Sequence, residues 1–161
     1  MGKFKTYQGM VIDDLKRYVS NWVADKPDAQ IFVGCDSQQN NKEVDYAVSV
    51  CIYNPGKGGH IISRKTTHDL IFKGGKRHKS KDEEAIFDRL WKEVEMAVDV
   101  ADELKDIGRY IMIHCDYNSK ESELSNRLYG SGIGYALEHG YEAAGKPFAW
   151  AATHSADNAV R

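Results

Sequence analysis

The sequence has no long apolar run. Nothing in it approaches the roughly 20 consecutive hydrophobic residues that a membrane helix needs, and the opening MGKFKTYQGM lacks the apolar centre of a secretion signal. The expectation is a cytoplasmic protein with no membrane partner. Cysteine is scarce: Cys35, Cys51 and Cys115 form no CxxC pair, and an odd number of them inside apolar stretches excludes a disulfide scaffold and points to reduced core thiols. Charge of one sign is lacking too, since a formal net charge of −2 gives no global excess that would name a partner. Repeats and low-complexity segments are absent, and 161 residues leave room for one domain only.

What is present is a hydrophobic pattern that changes period along the chain. Met10, Ile12, Leu15, Val19, Trp22 and Val23 recur at helical spacing over 10–23, and DKPDAQ then breaks the run. Strands are expected over 30–36, 44–54 and 60–70, the last two joined by NPGKGG, whose Pro and Gly suit a hairpin connection. Ile86, Phe87, Leu90, Val94, Val98, Ala101 and Leu104 mark a helix over 82–106. Ser80 and Glu83 fit a capping box at its start, and Gly108 fits its end. A strand over 109–115 follows, then a helical stretch over 119–144 weakened by Gly130, Gly132 and Gly134, and a last strand over FAWAATHSAD, 148–157. The order β-β-β-α-β-α-β predicts an α/β fold with a mixed five-stranded sheet, three antiparallel strands then parallel ones, flanked by helices.

Two of these strands end alike, IFVGCDS at 31–37 and YIMIHCDYN at 110–118. Alternation puts Phe32, Gly34 and Asp36 on one face, and Met112, His114 and Asp116 on one face. A right-handed crossover through the 82–106 helix lays the second strand beside the first, so that both acids meet at the carboxyl edge of the sheet. An aspartate after a strand also serves as a turn starter, but two carboxylates about 4.8 Å apart repel unless a proton or a cation joins them. Hard oxygen donors in that position select Mg2+ or Mn2+. A third acid is expected from the start of the helix, Glu83 first and Glu84 second, although acids there also answer the helix dipole. A fourth, Asp157, follows the last strand, where a helix cap is the plainer use. The cysteine before each aspartate alternates to the opposite face, into the core, which argues against thiol catalysis.

The segments VGCDSQ, RHKSKDEE, IHCDYN and KPFAWAATHSAD, in this order over about 30–158, resemble the YkuK family of RNase H-like proteins. The resemblance implies an RNase H-like fold, and with the chain length and the helical spacing above it gives a single RNase H-like domain over 1–161, with the 10–23 helix packed on it. It also implies that Asp36, Glu83, Asp116 and Asp157 match the acidic positions of metal-dependent nucleases using Mg2+ or Mn2+. The expected partner is then RNA, an RNA/DNA hybrid or structured DNA. The acid-free stretch IFKGGKRHKSK supplies Lys73, Lys76, Arg77 and Lys79 for phosphate contacts, though charge runs are often no more than solvated linkers. The alternative function is a nucleic-acid-binding module that keeps the fold without turnover.

Overall fold

A computed structural model describes the backbone of residues 2–69, 79–118 and 123–146, and their side chains except those of 79–85, 116–118, 123–126, 128, 129 and 146. The elements run β1 (Phe4–Thr6), β2 (Val11–Ile12), α1 (Leu15–Val23), β3 (Gln30–Asn40), β4 (Glu43–Asn54), β5 (Gly58–Asp69), α2 (Lys79–Leu104), β6 (Ile111–Asn118), α3 (Glu123–Glu138) and β7 (Glu142–Lys146). They build one mixed sheet of seven strands in the order β2-β1-β5-β4-β3-β6-β7. Strands β3, β4 and β5 form an antiparallel meander, and β6 and β7 add in parallel beside β3. The mixed α/β architecture expected from the sequence is therefore present.

Several boundaries differ from the expectation. The short strands β1 and β2 extend the sheet at the β5 edge, so the first helix starts at Leu15 rather than at residue 10. Asp14 caps it, its carboxylate accepting from Arg17 N at 3.0 Å. Helix α2 begins at Lys79, which puts Ser80 inside the first turn instead of at the cap. At the other end a 3-10 turn over Lys105–Ile107 leads into Gly108, whose φ of +78° is the left-handed stop expected there. The stretch 119–144, expected to be a mixed helical stretch weakened by its glycines, ends its helix at Glu138. Gly140 turns the chain at φ +87°, and Glu142–Lys146 becomes a strand because β6 offers it an open parallel edge. The strand expected over 148–157 lies outside the described residues.

The three helices of the described residues pack on one face of the sheet. That face carries Ile31, Val33 and Cys35 of β3, Val48, Val50 and Ile52 of β4, and Ile111, Ile113 and Cys115 of β6. Against them stand Leu15, Val19 and Val23 of α1, Val94, Ala97, Val98, Ala101 and Leu104 of α2, and Ala136 of α3. Successive right-handed crossovers through α2 and α3 that step the same way along the sheet put both helices on the same side. The opposite face carries a smaller cluster of Phe32, Cys51 and Met112. Cys35 and Cys115 lie in the main core, on the side their alternation requires. No helix among the described residues is long and apolar enough to cross a membrane.

Two contacts lock α1 onto this body. Arg109, just before β6, donates from Nη2 to the carbonyls of Val23 at 2.9 Å and Lys26 at 3.4 Å, adding a side-chain donor to acceptors that already take the backbone N–H of Lys26 and Ala29. Arg109→Ala is expected to lower the unfolding free energy by about 1–2 kcal/mol, as charge-assisted bonds to carbonyls do; an unchanged urea midpoint would show that water replaces the guanidinium without loss. On the outer side of α1, Tyr18 Oη lies 2.7 Å from His60 Nε2, and Trp22 stacks on the His60 ring at 5.5 Å and 9°.

Burial holds His60 below its ordinary pKa of 6.5. In the unfolded chain the ring binds its proton near 6.5, and in the folded chain only at lower pH. The contribution is whole above that value and is lost as pH falls through the lowered pKa. His68 and His114 are lowered too and act in the same direction. The denaturation midpoint is therefore expected to fall between pH 7 and pH 5, and to fall less steeply in His60→Gln. Parallel pH profiles for the two proteins would show that His60 takes no part.

Candidate functional site

The ladder between β3 and β6 pairs Ile31 with Ile111, Phe32 with Met112, Val33 with Ile113 and Gly34 with His114. Both strands run on past the last pair, β3 to Asn40 and β6 to Asn118. Carried two residues further, the same offset sets the backbone of Asp36 level with that of Asp116, just beyond the end of the ladder. On its other side β6 pairs with β7 up to His114–Ala144, and pairing returns only at Asn118–Lys146 after a shift of register. Asp116 thus sits where the regular pairing of β6 stops on both sides. Such irregularities re-aim side chains and are common beside active sites.

Asp36 is half-buried, and its Oδ1 accepts from the backbone N of Ser37 at 2.8 Å. It shares the face of Phe32 and Gly34, away from the helices. His114, on that face as well, is 2% exposed, with its ring 5.1 Å from that of Phe32. Burial pushes its pKa down to about 4, so the ring is neutral at physiological pH. The Cys35 thiol is driven well above its ordinary range by burial, and then by the nearby carboxylates of Glu93 and Asp36. It stays protonated, which removes the thiolate that cysteine chemistry needs.

Ser37 turns to the helix face, where its Oγ donates to Glu93 Oε1 of α2. Glu93 is only 3% exposed. Sequence reasoning missed it because the helical stripe was counted in apolar residues alone. The signal was an acid spaced three from Leu90 and four from Ala97, squarely on the buried stripe. An acid in that position needs a partner, and the end of β3 supplies one.

Of the residues expected to form the site, Asp36 and Asp116 stand on neighbouring strands, each two residues past the last ladder pair, Gly34–His114. Glu83 is in α2, ten residues before Glu93 and so about 15 Å away along the helix axis. The side chains of Glu83, Glu84 and Asp116 are outside the described set, as are Asp157, Lys73, Lys76 and Arg77 altogether; Lys79 is the first residue of α2. Among the described residues, no three His, Cys, Asp or Glu side chains stand close enough to hold a metal ion. The donor chemistry expected at the strand ends is carboxylate oxygen, which fits Mg2+ or Mn2+ and not a soft metal.

A family model described as Ribonuclease H-like matches residues 10–161. No match was found among curated proteins or among solved structures. The family match takes in every element from the end of the first hairpin onward, including the antiparallel meander, the α2 crossover and the parallel strand that brings the second acid beside the first. This chain belongs to the ribonuclease H-like family.

Proposed function

We propose that the protein is a metal-dependent nuclease that hydrolyses phosphodiester bonds in RNA, an RNA/DNA hybrid or structured DNA. The observation that carries this reading is the parallel pairing of β3 with β6 up to Gly34–His114, two residues before Asp36 and Asp116, where regular pairing of β6 stops. In an open α/β sheet that is the edge at which ligands bind. Membership in a ribonuclease H-like family supports a nuclease-type or nucleic-acid-binding role for the same edge.

In this reading Asp36 and Asp116 hold Mg2+ or Mn2+, joined by Glu83 and Asp157. The chemistry such an ion supplies is Lewis-acid polarisation of the phosphoryl oxygen and a bound water acidified toward neutral pH. The chain's own groups do the positioning. Ser37 ties the end of β3 to Glu93, and its backbone N–H fixes one oxygen of Asp36. His114, neutral and packed on Phe32, keeps the floor beneath the acids dry and uncharged. Lys73, Lys76, Arg77 and Lys79 contact the phosphates of the strand.

Incubation of labelled RNA, DNA and hybrid duplexes with the protein in Mn2+ or in EDTA tests the proposal. Products that form in Mn2+ and not in EDTA are expected. Tight, salt-sensitive binding with no product at any Mn2+ concentration would replace the nuclease with a binding module of the same fold.

A further inference from the structure

The face of the sheet turned away from the helices is uneven. At β3 and β4 it is closed, with Phe32, Ala47, Ser49 and Cys51 buried, but at β5, β1 and β2 it opens. Lys5 of β1 pairs with Ser63 of β5 on one side and with Val11 of β2 on the other, so the three share that face. Ile61 and Lys65 join them, two residues to either side of Ser63. Lys5, Val11, Ile61 and Lys65 are exposed. Asp36 is on the same face, because Asp36, Ala47 and Lys65 stand in one row across β3, β4 and β5. Two strand spacings, about 10 Å, separate Lys65 from it along that row.

Tyr7 occupies the turn between β1 and β2 and is 97% exposed. The turn that carries it is braced. Thr6 N donates to Met10 O at 3.0 Å, Gly9 N to Thr6 O at 2.9 Å, and Met10 N to Thr6 Oγ1 at 3.1 Å. Gly9 closes the turn at φ +89°, where a side chain would be strained. An aromatic ring left wholly in water adds nothing to the core, and on a fixed turn it loses little freedom when a flat partner stacks on it. The acids nearby are already held: Asp13 by Lys3, and Asp45 by Lys65 at 3.1 Å together with Asn40 and Thr67. Asp69 and Glu43 pair at the far tip of the meander, beyond Lys65. Lys5 has no ion-pair partner among the described residues and is the cation left over.

We propose that Tyr7 and Lys5 form a docking point for single-stranded nucleic acid, where an unpaired base stacks on the Tyr7 ring and a neighbouring phosphate meets Lys5. Val11 and Ile61 give the strand an apolar floor. The strand comes to this point from the carboxyl edge of the sheet, past Lys65, whose partner Asp45 keeps Asn40 and Thr67 when the lysine turns to a phosphate. A second copy of this chain suits the patch less well. A two-fold interface presents the same lysines from both copies, and these few side chains fall short of the roughly 20–30 residues a side in a stable interface. The proposal rests on the nucleic-acid reading above and adds where the strand is held away from the reacting bond.

The test is fluorescence anisotropy in EDTA with a short labelled RNA, offered as a single strand and as a blunt duplex. Tyr7→Ala is expected to weaken single-strand binding about 5- to 100-fold, the span of one base stacked on an aromatic ring, with duplex binding and the thermal midpoint unchanged. Tyr7→Phe keeps the affinity, because the ring and not the hydroxyl does the stacking. Lys5→Gln is expected to reduce the slope of log affinity against log salt by about one. Wild-type single-strand affinity in Tyr7→Ala overturns the docking point, and an equal loss on the duplex overturns the single-strand assignment. A dimer in sedimentation that Tyr7→Ala abolishes, with RNA affinity intact, replaces the proposal with a contact between copies. Failure of the nuclease reading shows separately, as missing product in Mn2+ while Tyr7-dependent binding persists.

Discussion

Asp116→Asn is expected to reduce Mn2+-dependent cleavage by more than about 100-fold, the scale on which even groups behind the metal ligands begin to matter. The substitution keeps the size of the side chain and removes its charge, so the loss falls on the cation and not on the fold. Asp36→Asn is expected to act alike, because in the proposed reading the two acids, each two residues past the last β3–β6 ladder pair, would hold the ion together. Calorimetric Mn2+ titration of both variants separates binding from chemistry, with heat of binding lost together with activity. RNA binding in EDTA should survive, since phosphate contacts do not pass through the acids. Cleavage undiminished in either variant would reject the metal-dependent nuclease.

The second large effect concerns Glu93. Ser37→Ala is expected to lower the unfolding free energy by about 1.5–3 kcal/mol, because it withdraws the hydroxyl from a carboxyl group that the core has removed from water. The loss reaches the site as well. With Ser37 gone, the last residues of β3 are no longer pinned to α2, and Mn2+ affinity is expected to fall 10- to 100-fold. A double-mutant cycle with Glu93→Gln measures the bond itself. Coupling of the two residues in denaturant melts supports it, and additive losses would show that Ser37 and Glu93 act independently.

The strands of the meander were legible in the sequence because β-rich stretches flank NPGKGG, whose Pro and Gly suit a hairpin connection. So was α2, whose stripe is long enough to fix its face. The two aspartates could be picked out because each closes an apolar run. Other elements could not be read this way. Strands of three and two residues, β1 and β2, carry no period at all and exist only because the edge of β5 is there to pair with. The segment EAAGK is composed largely of good helix formers, and becomes β7 because β6 lies beside it. Glu93 was hidden because its burial is a property of the helix–sheet contact and not of its neighbours in the chain.

By itself the sequence determined the order of the main elements, the crossover that brings two acid-ended strands together, and the burial of the cysteine before each acid. Those follow from local period and from the handedness of L-amino-acid chains, which act wherever the pattern occurs. Only the tertiary structure decided that all three helices share one face and that the pairing of β6 lapses around Asp116. It alone brought Glu93 to Ser37. These are meetings between residues far apart in the chain, settled by which surfaces fit when the core closes, and no window of sequence contains both sides of such a contact.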